Sequence, residues 1–218
     1  MSETFKTQIK NLVDDLKAVF THVGLGGEAA EYKLLTQSFL YKFLNDKFLY
    51  QAKAIDASNS YEILIDMSEE DYAWLLKFIG TSTAWLKPNQ LIETLHRQQN
   101  EPTFYETFEN TLNQIAIDNN DIFSVHTDGD TAIRLFDERL ITDTISDSSK
   151  RNEVAKAIIN LLARVKFDED IFSQGFDFFS TLFEYMIKDY NKDGGGKYAE
   201  YYTPHSVAKI IADILVGH

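Results

Sequence analysis

The most constraining feature of the sequence lies between residues 175 and 215, where two apolar helical patterns flank a run of three glycines. Thr203 and Pro204 mark the start of the second helix, because threonine is a good N-cap and proline fits the first helical position. Apolar residues then recur at the spacing of one helical face. They are Val207, Ile210, Ile211, Ile214 and Leu215, and in the preceding helix Phe179, Leu182, Phe183 and Met186. The pattern predicts two packed helices joined by a glycine-rich loop at 191–197.

Helical spacing also runs through most of the preceding chain. Together with capping and breaking residues, it predicts helices at 4–21, 29–53, 68–79, 88–97, 103–117, 131–140 and 151–165. The pattern does not decide the secondary structure of the short stretch Tyr61–Asp66, for which a strand-like segment is one interpretation. These elements predict a mainly α protein whose first part is an irregular helical bundle.

The helix predicted at 68–79 has the clearest boundaries in this part of the chain. Ser68 and Asp71 form a capping box at its start, and Gly80 is a typical helix stop. Within it, we expect Trp74, Leu75 and Phe78 to be core residues.

Composition limits the classes of function open to the chain. Its 218 residues contain no cysteine, which excludes disulfides and thiolate metal sites and fits a reducing cytoplasm. No apolar run approaches the length of a membrane span. The formal net charge of −13 argues against independent nucleic-acid binding, which needs clustered lysine and arginine. The acidic side chains also serve solubility.

The region 175–215 resembles a known family. Four successive segments resemble the entry to the catalytic domain of N6-adenine DNA methyltransferases. They are Phe-Glu-Tyr-Met-Ile at 183–187, the glycine break, Glu-Tyr-Tyr-Thr-Pro at 200–204 and the apolar helix after it. The modification (M) subunit of type I restriction-modification systems is the best match. The aromatic run at 39–48 also resembles the second helix of that subunit's N-terminal domain.

The resemblance implies two domains. Residues 1–167 would form an N-terminal helical domain, and residues 168–218 the first helices of a truncated α/β, Rossmann-like methyltransferase domain. It also implies S-adenosylmethionine as cofactor, part of whose pocket would be formed by Glu200, Tyr201, Tyr202, Thr203, Pro204 and His205. The implied partners are DNA within the complex, a specificity (S) subunit, a second M subunit and a restriction (R) subunit.

The catalytic motif of that family is absent from these residues. The family uses an Asn/Asp-Pro-Pro-aromatic motif, but the prolines here are Pro88, Pro102 and Pro204, with no adjacent pair. The glycine turn that follows the first strand is missing as well. We therefore expect an N-terminal fragment of a larger polypeptide, without catalytic residues and inactive by itself.

A calcium loop is the competing interpretation of the same region. Asp189, Asn191, Asp193, Gly194 and Glu200 satisfy the EF-hand pattern. Three consecutive glycines, and a helix that starts only at Pro204, fit that loop poorly. The alternative function is a free-standing helical interaction protein with a calcium loop at 189–200. A calcium titration followed by far-UV circular dichroism separates the two hypotheses.

Other candidate sites are weaker. A metal could bind the carboxylates of four acidic residues, Asp118, Asp121, Asp128 and Asp130. Because these residues lack a recognised ligand spacing, a solvated acidic loop is the preferred interpretation. The five histidines are scattered and form no zinc-binding pair. The sequence therefore predicts no metal site.

Overall fold

The fold is built around a long helix, α2, in the computed structural model of the protein. The structure describes residues 3–80, 83–123, 135–167 and Phe172, with the side chains of 3–6 and Phe123 outside the description. All of them lie in the first of the two units into which the chain divides, residues 1–176 and 177–218. The domain boundary predicted at 167/168 stays a prediction.

The described ranges contain nine α-helices, two short 3-10 turns at Pro88–Gln90 and Ser148–Lys150, and no strand. The helices are α1 (Glu3–His22), α2 (Ala29–Ile55), α3 (Tyr61–Asp66), α4 (Glu69–Ile79), α5 (Ile92–Gln98), α6 (Phe104–Asp118), α7 (Asn120–Phe123), α8 (Leu140–Thr144) and α9 (Arg151–Arg164). The predicted mainly α fold is confirmed for these residues. The predicted Rossmann-like part falls outside them.

Helices α2 and α9 organise the packing. Helix α2 contacts α1, α4, α8 and α9, while α9 also contacts α1, α5, α6 and α8. Helix α2 is buried around most of its circumference, from Leu34 and Phe39 to Phe48 and Ala52. A helix enclosed on several sides has room for few charged side chains. The polar residues that α2 does bury therefore need partners inside the core.

The predicted helices at 4–21, 29–53, 103–117 and 151–165 are confirmed within one or two residues at each end. Helix α4 also starts as predicted, with the Ser68 hydroxyl accepting from the Asp71 N–H at 3.2 Å. It stops at Gly80, whose φ of 67° suits glycine. The helix predicted from Pro88 is divided into a 3-10 turn and α5.

The stretch Tyr61–Asp66, whose type the sequence left open, is helix α3 rather than a strand-like segment. A Leu64 N–H to Ser60 carbonyl bond of 3.0 Å closes its first turn. The helix predicted at 131–140 fails in its described part, since residues 135–139 are not helical and α8 begins at Leu140. There the Asp137 N–H donates to the Gln37 side chain at 3.0 Å. The Glu138 carbonyl accepts from Asn113 at 2.6 Å, so side chains occupy groups that a helix would use.

The predicted core of α4 was also partly wrong. Leu75 is buried, but Trp74 and Phe78 are 56% and 59% exposed. The buried face of α4 consists of Tyr72, Leu75 and Ile79, and the Tyr72 ring packs against Phe48 of α2. The helix has apolar residues on more than one face, so periodicity alone did not decide which face turns inward.

Candidate functional site

The predicted cofactor residues Glu200, Tyr201, Tyr202, Thr203, Pro204 and His205 lie outside the described residues. So does the predicted calcium loop at 189–200. Among the described residues, two clusters of polar side chains lie on α2 and around the end of α6.

A buried polar cluster on α2 holds two distant segments of the chain. Lys42 and Asp46 form an ion pair of 2.9 Å, with 3% and 8% of their side chains exposed. The Asn45 amide donates to Asp46 at 2.8 Å and accepts from the Ile92 N–H at 2.9 Å. The second Asp46 oxygen accepts from the Phe167 N–H at 2.8 Å. Asp46 thus joins α2 to the residues that follow α9.

Within the cluster, the buried charges of Lys42 and Asp46 have partners. Removal from water lowers the pKa of Lys42, and the Asp46 carboxylate beside it opposes that shift. The Lys42 ammonium also lies 5.4 Å from the centre of the Phe167 ring. Burying an ion pair is favourable only when further hydrogen bonds complete it. Here Asn45 and the Phe167 backbone provide them.

Aromatic contacts continue the attachment beyond Phe167. The Phe172 ring lies 5.7 Å from Phe43 and 5.3 Å from Tyr50, both on α2. We call residues 1–176 the helical unit. Helix α2 therefore contacts Phe167 through a hydrogen bond and Phe172 through two ring contacts, both near the end of this unit. We call Lys42, Asp46, Phe167 and Phe172 the exit anchor.

Sequence reasoning missed the exit anchor, although a signal was present. Lys42, Asn45 and Asp46 occur at i, i+3 and i+4, which places them on one side of a helix otherwise rich in aromatic residues. Polar residues at that spacing within an apolar pattern indicate a buried network.

A second polar cluster fixes the segment between α4 and α5. The Asn119 amide accepts from the Trp85 N–H and donates to the Trp85 carbonyl, both at 2.9 Å, and Asn119 is 1% exposed. Asp118 accepts from Lys87, Gln90 and Gln114 at 2.8 to 3.1 Å. Burial raises the pKa of Asp118, but these donors outweigh it and the net pKa is lowered. Asp118 therefore holds this segment through its three hydrogen bonds.

No three His, Cys, Asp or Glu side chains come together as metal ligands within the described ranges. Asp121 is exposed, while Asp128 and Asp130 lie outside those ranges. The acidic segment therefore offers no assembled carboxylate site in its described part.

A cavity of about 490 Å³ lies beside the Asn119 cluster. Its walls come from the end of α3, from α4 and from the segment that Asn119 holds. The lining residues are Met67, Glu69, Tyr72, Ala73, Leu76, Trp85, Lys87, Pro88 and Asn89. The Tyr72 hydroxyl donates to the Leu86 carbonyl, and Lys87 is paired with Asp118 at 2.9 Å. Two polar groups of the wall are therefore already engaged, and the lining is mostly apolar. Such a cavity suits an apolar group rather than acid–base chemistry.

Two comparisons with known proteins show what the chain is similar to. Residues 174–218 match the sequence model of the N-6 DNA Methylase family. Over 193 residues, 85% of this chain, the sequence is 24% identical to the "Type I restriction enzyme MpnII methylase subunit" of Mycoplasma pneumoniae. The predicted resemblance to M subunits of type I systems is confirmed. The chain is similar to such a methylase subunit along both its helical unit and its methylase segment, as we call residues 174–218.

The chain spans 34% of the length of that relative. No solved structure matches the chain significantly. None of the described helices combines the length and apolar character that a membrane span needs. The exit anchor ends at Phe172, just before the methylase segment begins.

Proposed function

We propose that the chain is the N-terminal part of a type I restriction-modification methyltransferase subunit that methylates adenine at N6 in DNA. The observation that carries this proposal is the order of the two parts. A helical unit similar to a methylase subunit comes first, and the methylase segment follows its last anchored residue.

In this proposal the cofactor is S-adenosylmethionine, which would supply the methyl group, and Glu200–His205 form part of its pocket. The adenine must leave the base stack to reach it. These 218 residues lack an Asn/Asp-Pro-Pro-aromatic motif to hold the flipped base. We therefore assign no catalytic residue to them and propose that they are inactive alone.

The helical unit would serve assembly and DNA clamping. The net charge of −13 argues against neutralisation of many phosphates by the chain itself. Basic surfaces for DNA would come from the S subunit, with a second M subunit and an R subunit as further partners. Because the proposed substrate is DNA inside the cell, we propose a cytoplasmic location.

The first test is the natural reading frame beyond His218. We expect a strand with a glycine turn and then Asn/Asp-Pro-Pro followed by an aromatic residue. A stop codon directly after His218 would contradict the proposed activity.

Calorimetry on the 218-residue chain tests the proposed division of the cofactor pocket. We expect S-adenosylmethionine to bind weakly or not at all, because most of the pocket is missing. Tight binding would show that the pocket is complete and would contradict the fragment interpretation.

A further inference from the structure

Helix α4 presents two packed aromatic rings to solvent. The centres of the Trp74 and Phe78 rings are 4.1 Å apart, with their planes inclined by 43°. The two side chains are 56% and 59% exposed. Large aromatic side chains placed together on a surface are typical of binding sites rather than of ordinary solvent-facing helices.

The rings sit on a fixed platform. Ser68 caps the start of α4, and Gly80 ends it. The opposite face is buried through Tyr72 and Leu75, which leaves the two rings pointing away from the core. A ring pair already packed on a capped helix loses little conformational entropy when it binds a partner.

The surroundings of the rings are acidic. Glu70 and Asp71 lie one turn before Trp74 on the same side of the helix, and both are exposed. Asp66 and Glu69 are exposed nearby in sequence, whereas Lys77 is the one basic residue of α4. The apolar rings of α4 with acidic side chains around them are therefore complementary to a partner surface that has apolar residues surrounded by basic ones.

We propose that this α4 aromatic surface, defined by Glu70, Trp74 and Phe78, binds a basic amphipathic helix of a partner protein. Its apolar residues cover the two rings, and its lysine or arginine side chains face Glu70 and Asp71. Nucleic acid and anionic membranes are repelled by the same carboxylates. A second copy docked through the same face would bring acidic margins together. The proposal does not depend on the methyltransferase assignment, since it uses only the described surface of α4.

The test uses the whole 218-residue chain and a synthetic probe. The probe is a fluorescein-labelled peptide about four helical turns long, with leucine on one face and lysine on the other. A matched peptide carries glutamate in place of every lysine. Fluorescence anisotropy measures the affinity of each peptide for the unmodified protein and for three variants.

The first variant is Trp74→Gln with Phe78→Gln, and it should weaken binding of the lysine peptide at least about tenfold. The second, Glu70→Lys, should weaken it less, and the difference should shrink in high salt. The control is Ile117→Gln, because Ile117 is 66% exposed but belongs to α6 rather than α4, and its loss should leave the affinity unchanged. Far-UV circular dichroism checks that each variant keeps the helical content of the parent.

Several results would overturn the proposal. One is absence of binding, and another is equal binding by the ring-deleted variant or by the glutamate peptide. Sedimentation that shows a dimer lost in the ring-deleted variant would assign the surface to a second copy instead. Ring-dependent binding to phosphatidylcholine vesicles would assign it to a membrane.

Discussion

The Asp46 carboxylate accepts a hydrogen bond of 2.8 Å from the backbone N–H of Phe167, 121 residues further along the chain. The same carboxylate pairs with Lys42 inside the bundle. One side chain thus neutralises a buried cation and fixes the end of the helical unit. The contact gives α2 a second role besides its place in the core.

Asp46→Ala should be strongly destabilising. It leaves the Lys42 ammonium buried without its counter-ion, which costs about 3–5 kcal/mol of the free energy of unfolding. The matched control is Asp143→Ala, which breaks an exposed i,i+4 pair with Arg139 and should cost at most about 1 kcal/mol. Urea unfolding followed by circular dichroism measures both. Equal losses for the two variants would show that the buried pair carries no special energetic weight.

Asn119→Ala should destabilise the segment between α4 and α5. It leaves the part-buried N–H and C=O of Trp85 without their side-chain partner, so we expect a total cost of about 1–3 kcal/mol, the range for one unsatisfied buried group. Asn113→Ala on α6, the helix that Asn119 caps, removes an exposed amide bonded to Glu138 and serves as control. Unfolding midpoints compare the two, and near-UV circular dichroism in a Trp74→Phe background reports Trp85. An unchanged Trp85 signal and midpoint would contradict the role given to Asn119.

Asp118 should contribute to acid sensitivity. Its folded-state pKa lies below the ordinary value of 3.8, so its stabilising contribution is fully present above that value. The contribution is lost as the pH falls through the lower folded-state pKa. Asp118→Asn should therefore flatten the dependence of unfolding free energy on pH between about pH 5 and about pH 2. Parallel pH profiles for the variant and the parent would refute this assignment.

Trp74→Gln and Phe78→Gln should each cost at most about 1 kcal/mol, because both side chains are more than half exposed. Leu75→Ala on the same helix should cost about 2–5 kcal/mol, since Leu75 is 2% exposed. Thermal or urea unfolding separates the two classes. A large loss at Trp74 would restore the interpretation of that residue as core.

The sequence was sufficient to predict the long helices. Apolar residues such as Leu12, Leu16, Phe104 and Phe108 recur at helical spacing and are buried as that spacing predicts. Ser68 and Gly80 marked the ends of α4, because caps depend on local chemistry.

The other features of the fold depend on contacts between residues far apart in the chain, which local sequence patterns do not predict. Asp46 and Phe167 meet only after the bundle has formed, and no spacing rule connects them. Likewise, Asp137 is kept out of a helix by Gln37, 100 residues earlier in the chain. Trp74 points outward because the face of α4 that packs against the core carries Tyr72, Leu75 and Ile79. The predicted site residues 200–205 lie outside the described residues and stay a prediction.

The proposal that these residues begin a DNA methyltransferase subunit can be tested by expressing the complete reading frame with its S subunit and supplying DNA and S-adenosylmethionine labelled in the methyl group. We expect labelled N6-methyladenine in the DNA, and none when the 218-residue chain replaces the complete subunit. Absence of label from the DNA, or label on cytosine instead, would rule the proposal out.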